Sequence, residues 1–235
     1  LVTLDLLSLS KAYVSDVRAR VHALCGIPPD HVIISCSHTH SGPWASGLCV
    51  DGRVDPMYME FLISGIAGAV RRAQRGAFPA ELGVGVGLCG AESGVGGNRR
   101  SRDGVSDPEV GVIAVRDRSG TPRGVIVSYA LHPTFIHEES TLVTADYPGY
   151  IRKTVAAAHP GTMFGFAQGA SGDQSSRYFR SGQSYAEAAR VGGEIGKEAI
   201  AVLNEMRFER CPALGIAVAD VPVEMRAFPP VEELK

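Results

Sequence analysis

The chain has 235 residues, 45% hydrophobic and 20% charged, with a mean hydropathy of +0.05, an ordinary globular composition with length enough for a sizeable core. A net charge of −2 and a pI near 6.4 give no electrostatic footing for nucleic acid or an anionic membrane surface. No apolar run reaches the roughly 18 residues of a bilayer-spanning helix, and the five scattered cysteines (Cys25, Cys36, Cys49, Cys89, Cys211) lack the C-x-x-C spacing of a metal site or a disulfide framework.

The chain opens inside Leu1-Val2-Thr3-Leu4-Asp5-Leu6-Leu7, an apolar run that reads as a core strand. Ser8 or Ser10 then caps a helix whose stripe is Val14, Val17, Val21 and Leu24, and Gly26 ends it. Val32-Ile33-Ile34 is a second strand. It leads into His38-Thr39-His40-Ser41-Gly42-Pro43. Residues i and i+2 share a face of a strand, so extended geometry would place His38 and His40 together at its carboxyl end. Open α/β sheets keep their ligand sites at such ends. Two imidazoles there suit a metal ligand beside a substrate-facing partner, although a plain polar strand end accounts for an H-x-H pair equally well.

Asp55-Pro56 starts the next helix, which runs through Met59, Leu62, Ile66 and Val70 to Arg75, with Gly76 after it. Leu82 to Leu88 alternates apolar residues with glycine, a strand bare on one face and open to close approach by another element. A Gly-, Asn- and Arg-rich loop follows from Glu92 to Val105 and holds Asn98-Arg99-Arg100. Strands at Val110–Val115 and Val125–Leu131 flank the hairpin turn Asp117-Arg118-Ser119-Gly120. The second of them ends in His132-Pro133-Thr134, and Pro133 keeps His132 at the strand terminus. His137, Glu138 and Glu139, just beyond, read as solvent-facing. His22, His31 and His159 read as structural.

Asp146 with Pro148 begins a helix to about Ala158, Asp146 acting first as its N-cap and second as a support for a site histidine. Met163 to Ala167 is a strand, followed by the loop Gln168 to Ser176. There Gly169-Ala170-Ser171-Gly172-Asp173-Gln174-Ser175-Ser176 exposes a hydroxyl, Ser171 or Ser175, fit for a nucleophile unless these serines only make turns. A helix from Ser184 to Glu205 and a strand near Leu214 to Val221 complete the pass. The alternation, with one hairpin, predicts an α/β fold with a mixed central sheet and helices on both faces. Residues 1–235 are expected to form one domain, cut from a longer protein at both ends. No glycine cluster carries a nucleotide-binding motif.

The order of motifs is more specific than any one of them. His-Thr-His-Ser-Gly-Pro, Asn-Arg, Ala-Leu-His-Pro-Thr, Thr-Ala-Asp-Tyr-Pro-Gly-Tyr and Ala-Gln-Gly-Ala-Ser-Gly-Asp-Gln-Ser succeed one another between Asp5 and Ser176. This succession resembles the neutral/alkaline (non-lysosomal) ceramidase family. The resemblance implies a Zn2+-dependent hydrolase that cleaves an N-acyl amide to fatty acid and sphingoid base. It implies His38 and His132 as zinc ligands, His40 as the substrate-contacting histidine, Arg99 as the active-site arginine and Ser175 as the nucleophile, with Gln174 where the family has Val. The family's remaining zinc ligands, a Glu and a Tyr, would lie beyond Lys235. Two other readings stand beside this one: a zinc hydrolase of a small polar amide or ester, and a non-catalytic binding domain that keeps the motifs. The expected partner is a small amide substrate, lipid in the first reading, with no nucleic acid and no transmembrane segment.

Overall fold

A computed structural model of the chain describes residues 1–46, 54–136, 139–210, 212–224, 227, 229, 230 and 233. Strand β1 (Val2–Leu4) pairs in parallel with β2 (Ile34–Cys36). Between them runs helix α1 (Lys11–Cys25), capped by the Ser10 hydroxyl and closed by Gly26 in the left-handed conformation at φ 70°, where a glycine costs least. Helix α2 (Pro56–Arg75) starts with Asp55 accepting the Met57 and Tyr58 N–H groups. Val17 and Val21 of α1 meet Ile63, Ile66 and Ala67 of α2 over Val2, Leu4 and Ile34, so the two helices form a layer on the β1–β2 pair.

The main sheet contains β3 (Ala80–Leu88), β5 (Glu109–Asp117), β6 (Pro122–Tyr129), β7 (Met163–Gln168) and β9 (Phe208–Arg210), in the order β7-β6-β5-β3-β9. The β6–β7 pair is parallel and the others antiparallel, so the fold is α/β with a mixed sheet. A small β4–β8 pair (Gly97–Asn98 with Gln174–Ser175) lies apart from it. The β5–β6 hairpin closes on Gly120 at φ 83°, as the Asp117-to-Gly120 signal predicts.

Helices α3 (Tyr147–Ala158) and α4 (Tyr185–Glu205) cover one face of this sheet. Val110, Val112, Val125 and Val127 pack there against Ile151, Val155, Val191 and Ile195. The bare face of β3 receives α4: a Cβ on Gly85 would lie 2.6 Å from Val202, and one on Gly83 2.4 Å from Met206. Its opposite face leaves Val84, Val86 and Leu88 exposed. Between the helices, a Cβ on Gly192 would lie 2.5 Å from the Tyr147 carbonyl oxygen. Glycine is what lets α3 and α4 approach so closely.

Three expectations need correction. The strand predicted near Leu214–Val221 is absent, and Leu214, Val218, Val221 and Val223 are exposed; their alternation has no partner strand to satisfy. Instead the short β9 forms just after α4. It is held by Glu81, which accepts from Arg116 and Arg210 at 2.7 Å each, and by Arg116 stacked over Phe208 at 4.2 Å. The second strand also begins later than its apolar run, and Ile33 is 54% exposed. Finally, β2 and β6 do not share one sheet; the β1–β2 pair lies against β7, which carries its carboxyl end toward that of β6.

Candidate metal centre

His38 lies two residues past β2, and strand alternation does not place it. Its backbone is left-handed at φ 64°, a conformation that costs a non-glycine residue on the order of 1 kcal/mol or more. The extended geometry expected from the sequence therefore stops at His38 itself. The turn is held by the His38 N–H on Leu6 O at 3.0 Å and the Ser37 N–H on Leu4 O at 2.8 Å. As a result the His38 and His40 rings meet edge-on, with centroids 5.1 Å apart.

His132 arrives from the other side, past β6. Its N–H donates to Gln174 O at 3.0 Å, within β8. Ring centroids lie 4.8 Å from His38 and 5.6 Å from His40. Each of the three histidines offers a ring nitrogen, and those nitrogens all fall within 4.8 Å of one another.

The tautomers follow from the partners. His38 Nδ1 lies 2.9 Å from Leu7 O, and His132 Nδ1 lies 2.7 Å from Ser171 O. A carbonyl only accepts, so both Nδ1 atoms carry the proton in the neutral rings. Both Nε2 atoms then hold lone pairs, and they face each other at 3.2 Å. Two acceptors at that distance repel unless a cation or proton lies between them. A tetrahedral zinc ion with Zn–N bonds of about 2.0–2.1 Å holds two nitrogens roughly 3.3 Å apart. An Nδ1–H bonded to a backbone carbonyl is also the usual outer support of a metal-bound imidazole. The pair fits a divalent metal, and the His38, His40 and His132 cluster can hold one.

The electrostatics disfavour the protonated form of His40 and of His132. Burial, then the neighbouring His38, His132 and Arg99, push His40 down to about 4, although the residue sits at the exposed mouth of the cluster. Burial also lowers His132, only partly offset by the Ser171 carbonyl, with smaller contributions from His38 and Arg99. Neutral imidazole is the form that ligates.

Arg99 is near enough for its charge to act on both rings. The β4–β8 pair positions it: the Arg99 N–H donates to Asp173 O at 2.7 Å, and Asn98 Oδ1 accepts from Arg100 and Ser101. Ser175, 6% exposed, pairs with Gly97 across the same ladder. Its Oγ accepts the Arg177 N–H at 3.1 Å, which leaves its own O–H proton free to be given up. Ser171, the other hydroxyl considered, contributes its carbonyl to His132. His137 and Glu138 lie outside the described residues. His22 hydrogen-bonds the Ile27 carbonyl at the end of α1, and His159 ends α3, both away from the cluster.

Asp146 is a poor helix cap. Its Oδ1 takes only the N–H of the adjacent Tyr147, at 2.7 Å, and Pro148 has none to give. Its Oδ2 reaches instead to the Phe135 and Ile136 N–H groups, at 2.9 and 3.2 Å. Burial raises its pKa, countered in part by the Tyr147, Ile136 and Phe135 N–H groups and by Arg180.

Comparison with known proteins places this fold. The chain superposes on neutral ceramidase from Pseudomonas aeruginosa with a TM-score of 0.73 at 23% identity, over 86% of this chain and 36% of that one. The chain has the fold of neutral ceramidase. A ceramidase complexed with C2 matches with a TM-score of 0.74 at 22% identity, over 86% of this chain and 35% of the other. The chain thus spans about a third of the ceramidase chains it matches. No family model matches the sequence, and no curated protein matches it at sequence level. The ceramidase likeness that these comparisons show is therefore one of three-dimensional structure. No helix among the described residues is long and apolar enough to cross a membrane.

Proposed function

We propose that this chain carries the metal-binding half of a zinc-dependent amide hydrolase that cleaves an N-acyl, ceramide-like amide to fatty acid and sphingoid base. The observation that supports it most is the facing pair of lone-pair nitrogens on His38 and His132, 3.2 Å apart, in a chain with the neutral ceramidase fold. His38 and His132 would hold the metal. When bound, zinc supplies a Lewis acid that polarises the acyl carbonyl.

The chain's own residues do the rest. Ser175 Oγ attacks the carbonyl carbon, and its proton passes to the departing nitrogen. The C–N bond breaks, the amine leaves with a proton, and water then releases the fatty acid from the serine. Arg99, and His40 through its ring N–H, face the oxygen on which negative charge develops, a contribution of about 3 kcal/mol per donor. His40, held near 4, stays neutral at physiological pH and serves as a hydrogen-bonding group rather than a second cation beside Arg99.

The deciding experiment is zinc content by elemental analysis after dialysis against metal-free buffer, followed by hydrolysis of N-acyl amides of graded chain length. About one zinc per chain with turnover that rises with acyl length is the expected result. No zinc in folded protein offered the metal would overturn the reading. Zinc with turnover confined to short polar amides would move the substrate to that class.

A further inference from the structure

One short segment ahead of α3 touches both histidine-bearing loops. The Thr144 N–H donates to Ser41 O at 3.0 Å, and Thr144 O accepts the Thr39 hydroxyl at 2.7 Å. These bonds fix the His38–His40 turn. Two residues on, Asp146 Oδ2 accepts the Phe135 and Ile136 N–H groups, fixing the turn that follows His132. Thr144 Oγ1 accepts the Asp146 N–H at 3.0 Å and joins the two halves. Tyr147 adds its hydroxyl to Leu131 O at 2.9 Å, directly before His132.

The segment is built as a fixture. Thr39 and Tyr147 are fully buried and Asp146 is 1% exposed. Among the described residues, His38 and Asp146 are the non-glycine residues with positive φ, at 64° and 58°. Such strain persists where surrounding bonds over-determine it and gathers at functional sites. Helix capping accounts for the Tyr147 bond only; it explains neither the second carboxylate oxygen nor the Thr39–Thr144 bond.

We propose that Thr144 to Asp146 is a clamp that sets the spacing of His38 and His132, with Thr39 and Asp146 as positioning residues for the metal pair. The proposal rests on the metal reading of the histidines for its purpose, but not for its mechanics. Thr39 lies in one loop, Phe135 and Ile136 in the other, and the clamp is the covalent and hydrogen-bonded route between them.

The test is Thr39→Val, read in two ways. In metal-free protein, hydrogen exchange at the Phe135 and Ile136 amides should quicken about tenfold, although these amides bond to Asp146 and the Thr39 hydroxyl to Thr144. Zinc affinity, by competition with a chromogenic chelator, should fall about 10- to 100-fold, and Thr39→Ser should restore both. Asp146→Asn, which gives up one acceptor oxygen, should act in the same direction and decides the matter if Thr39→Val does not fold. Unchanged exchange at Phe135 and Ile136 in a folded Thr39→Val protein overturns the clamp, whatever zinc does. Quickened exchange in a protein whose wild type takes no zinc upholds the clamp and removes the metal reading.

Discussion

His38 and His132 present their Nε2 atoms to each other at 3.2 Å, and each is turned there by a backbone carbonyl on its Nδ1, Leu7 O for one and Ser171 O for the other. Neither ring can satisfy the other, since both facing nitrogens are acceptors. A cation relieves the pair and a proton relieves it less well. Substituting His132→Ala, or His38→Ala, should therefore drop bound zinc from about one per chain to near zero. Elemental analysis after dialysis measures this, and stoichiometric zinc retained by His132→Ala would place the metal elsewhere.

A Ser175 variant would separate the proposed chemistry from metal binding. Its Oγ is held by the Arg177 N–H, and a neutral hydroxyl is a far weaker zinc donor than an imidazole nitrogen. Ser175→Ala should lower kcat on an N-acyl amide by about a thousandfold or more while zinc content stays at the wild-type level. Loss of both together would mean that β8, whose Gln174 carbonyl holds the His132 N–H, has been disturbed.

Arg99 depresses the titration of His40 and His132 through its charge. Arg99→Ala should raise the pKa of both rings in the metal-free protein, as followed by NMR titration of the imidazole protons. It should also lower kcat by about 10²–10³ if the guanidinium meets the developing oxyanion. An unmoved His40 titration would show that the arginine points away from the cluster.

The metal-free fold should weaken on acidification in two stages. His40 titrates at about 6.5 when unfolded and about 4 when folded, so between those values the unfolded chain binds more protons. Stability then falls as pH drops from about 6.5 toward 4. Glu187, held down to about 2 by Arg190, favours the fold above its unfolded value of 4.5 and loses that contribution as pH falls from about 4.5 toward 2. Urea midpoints measured from pH 7 to pH 3 should decline, less steeply where Asp146, whose pKa burial raises, takes up its proton and opposes the trend. A flat profile from 6.5 to 5 would contradict the depressed histidine.

Two adjacent glycines in α4 should respond in opposite directions. Gly193→Ala meets nothing within 4 Å and should stabilise by about 0.5–1 kcal/mol through helix propensity. Gly192→Ala drives a Cβ into the Tyr147 carbonyl and Tyr150, and overpacking of about 1–3 kcal/mol should outweigh the same gain. Thermal unfolding of the two variants side by side is the measurement. A Gly192→Ala protein more stable than wild type would mean that α3 can shift away.

Much of the fold was legible because its signals are local. Ser10, Asp55 and Ser184 cap the helices that follow them, Gly26 and Gly120 sit where positive φ is needed, and the glycines of β3 announce the approach of α4. What failed was information held by a partner. Leu214 to Val223 alternates like a strand but has no neighbour, whereas Phe208-Glu209-Arg210 pairs because Glu81 and Arg116 await it across the sheet. The candidate site divides in the same way. The histidines, Arg99 and Ser175 stand out by residue type and order, but the left-handed turn at His38 leaves no trace in its own side chain. Asp146 was readable as a cap; its larger engagement, with Phe135 and Ile136, required the loops to be folded together.

The groups that aim the two facing imidazoles belong to the main chain. A peptide carbonyl is present whatever side chain the residue bears, so positions 7 and 171 orient His38 and His132 by where the backbone runs rather than by what they are. Substitutions there answer to packing alone and leave the tautomers untouched. To turn either ring, a change must redirect the path of the chain itself.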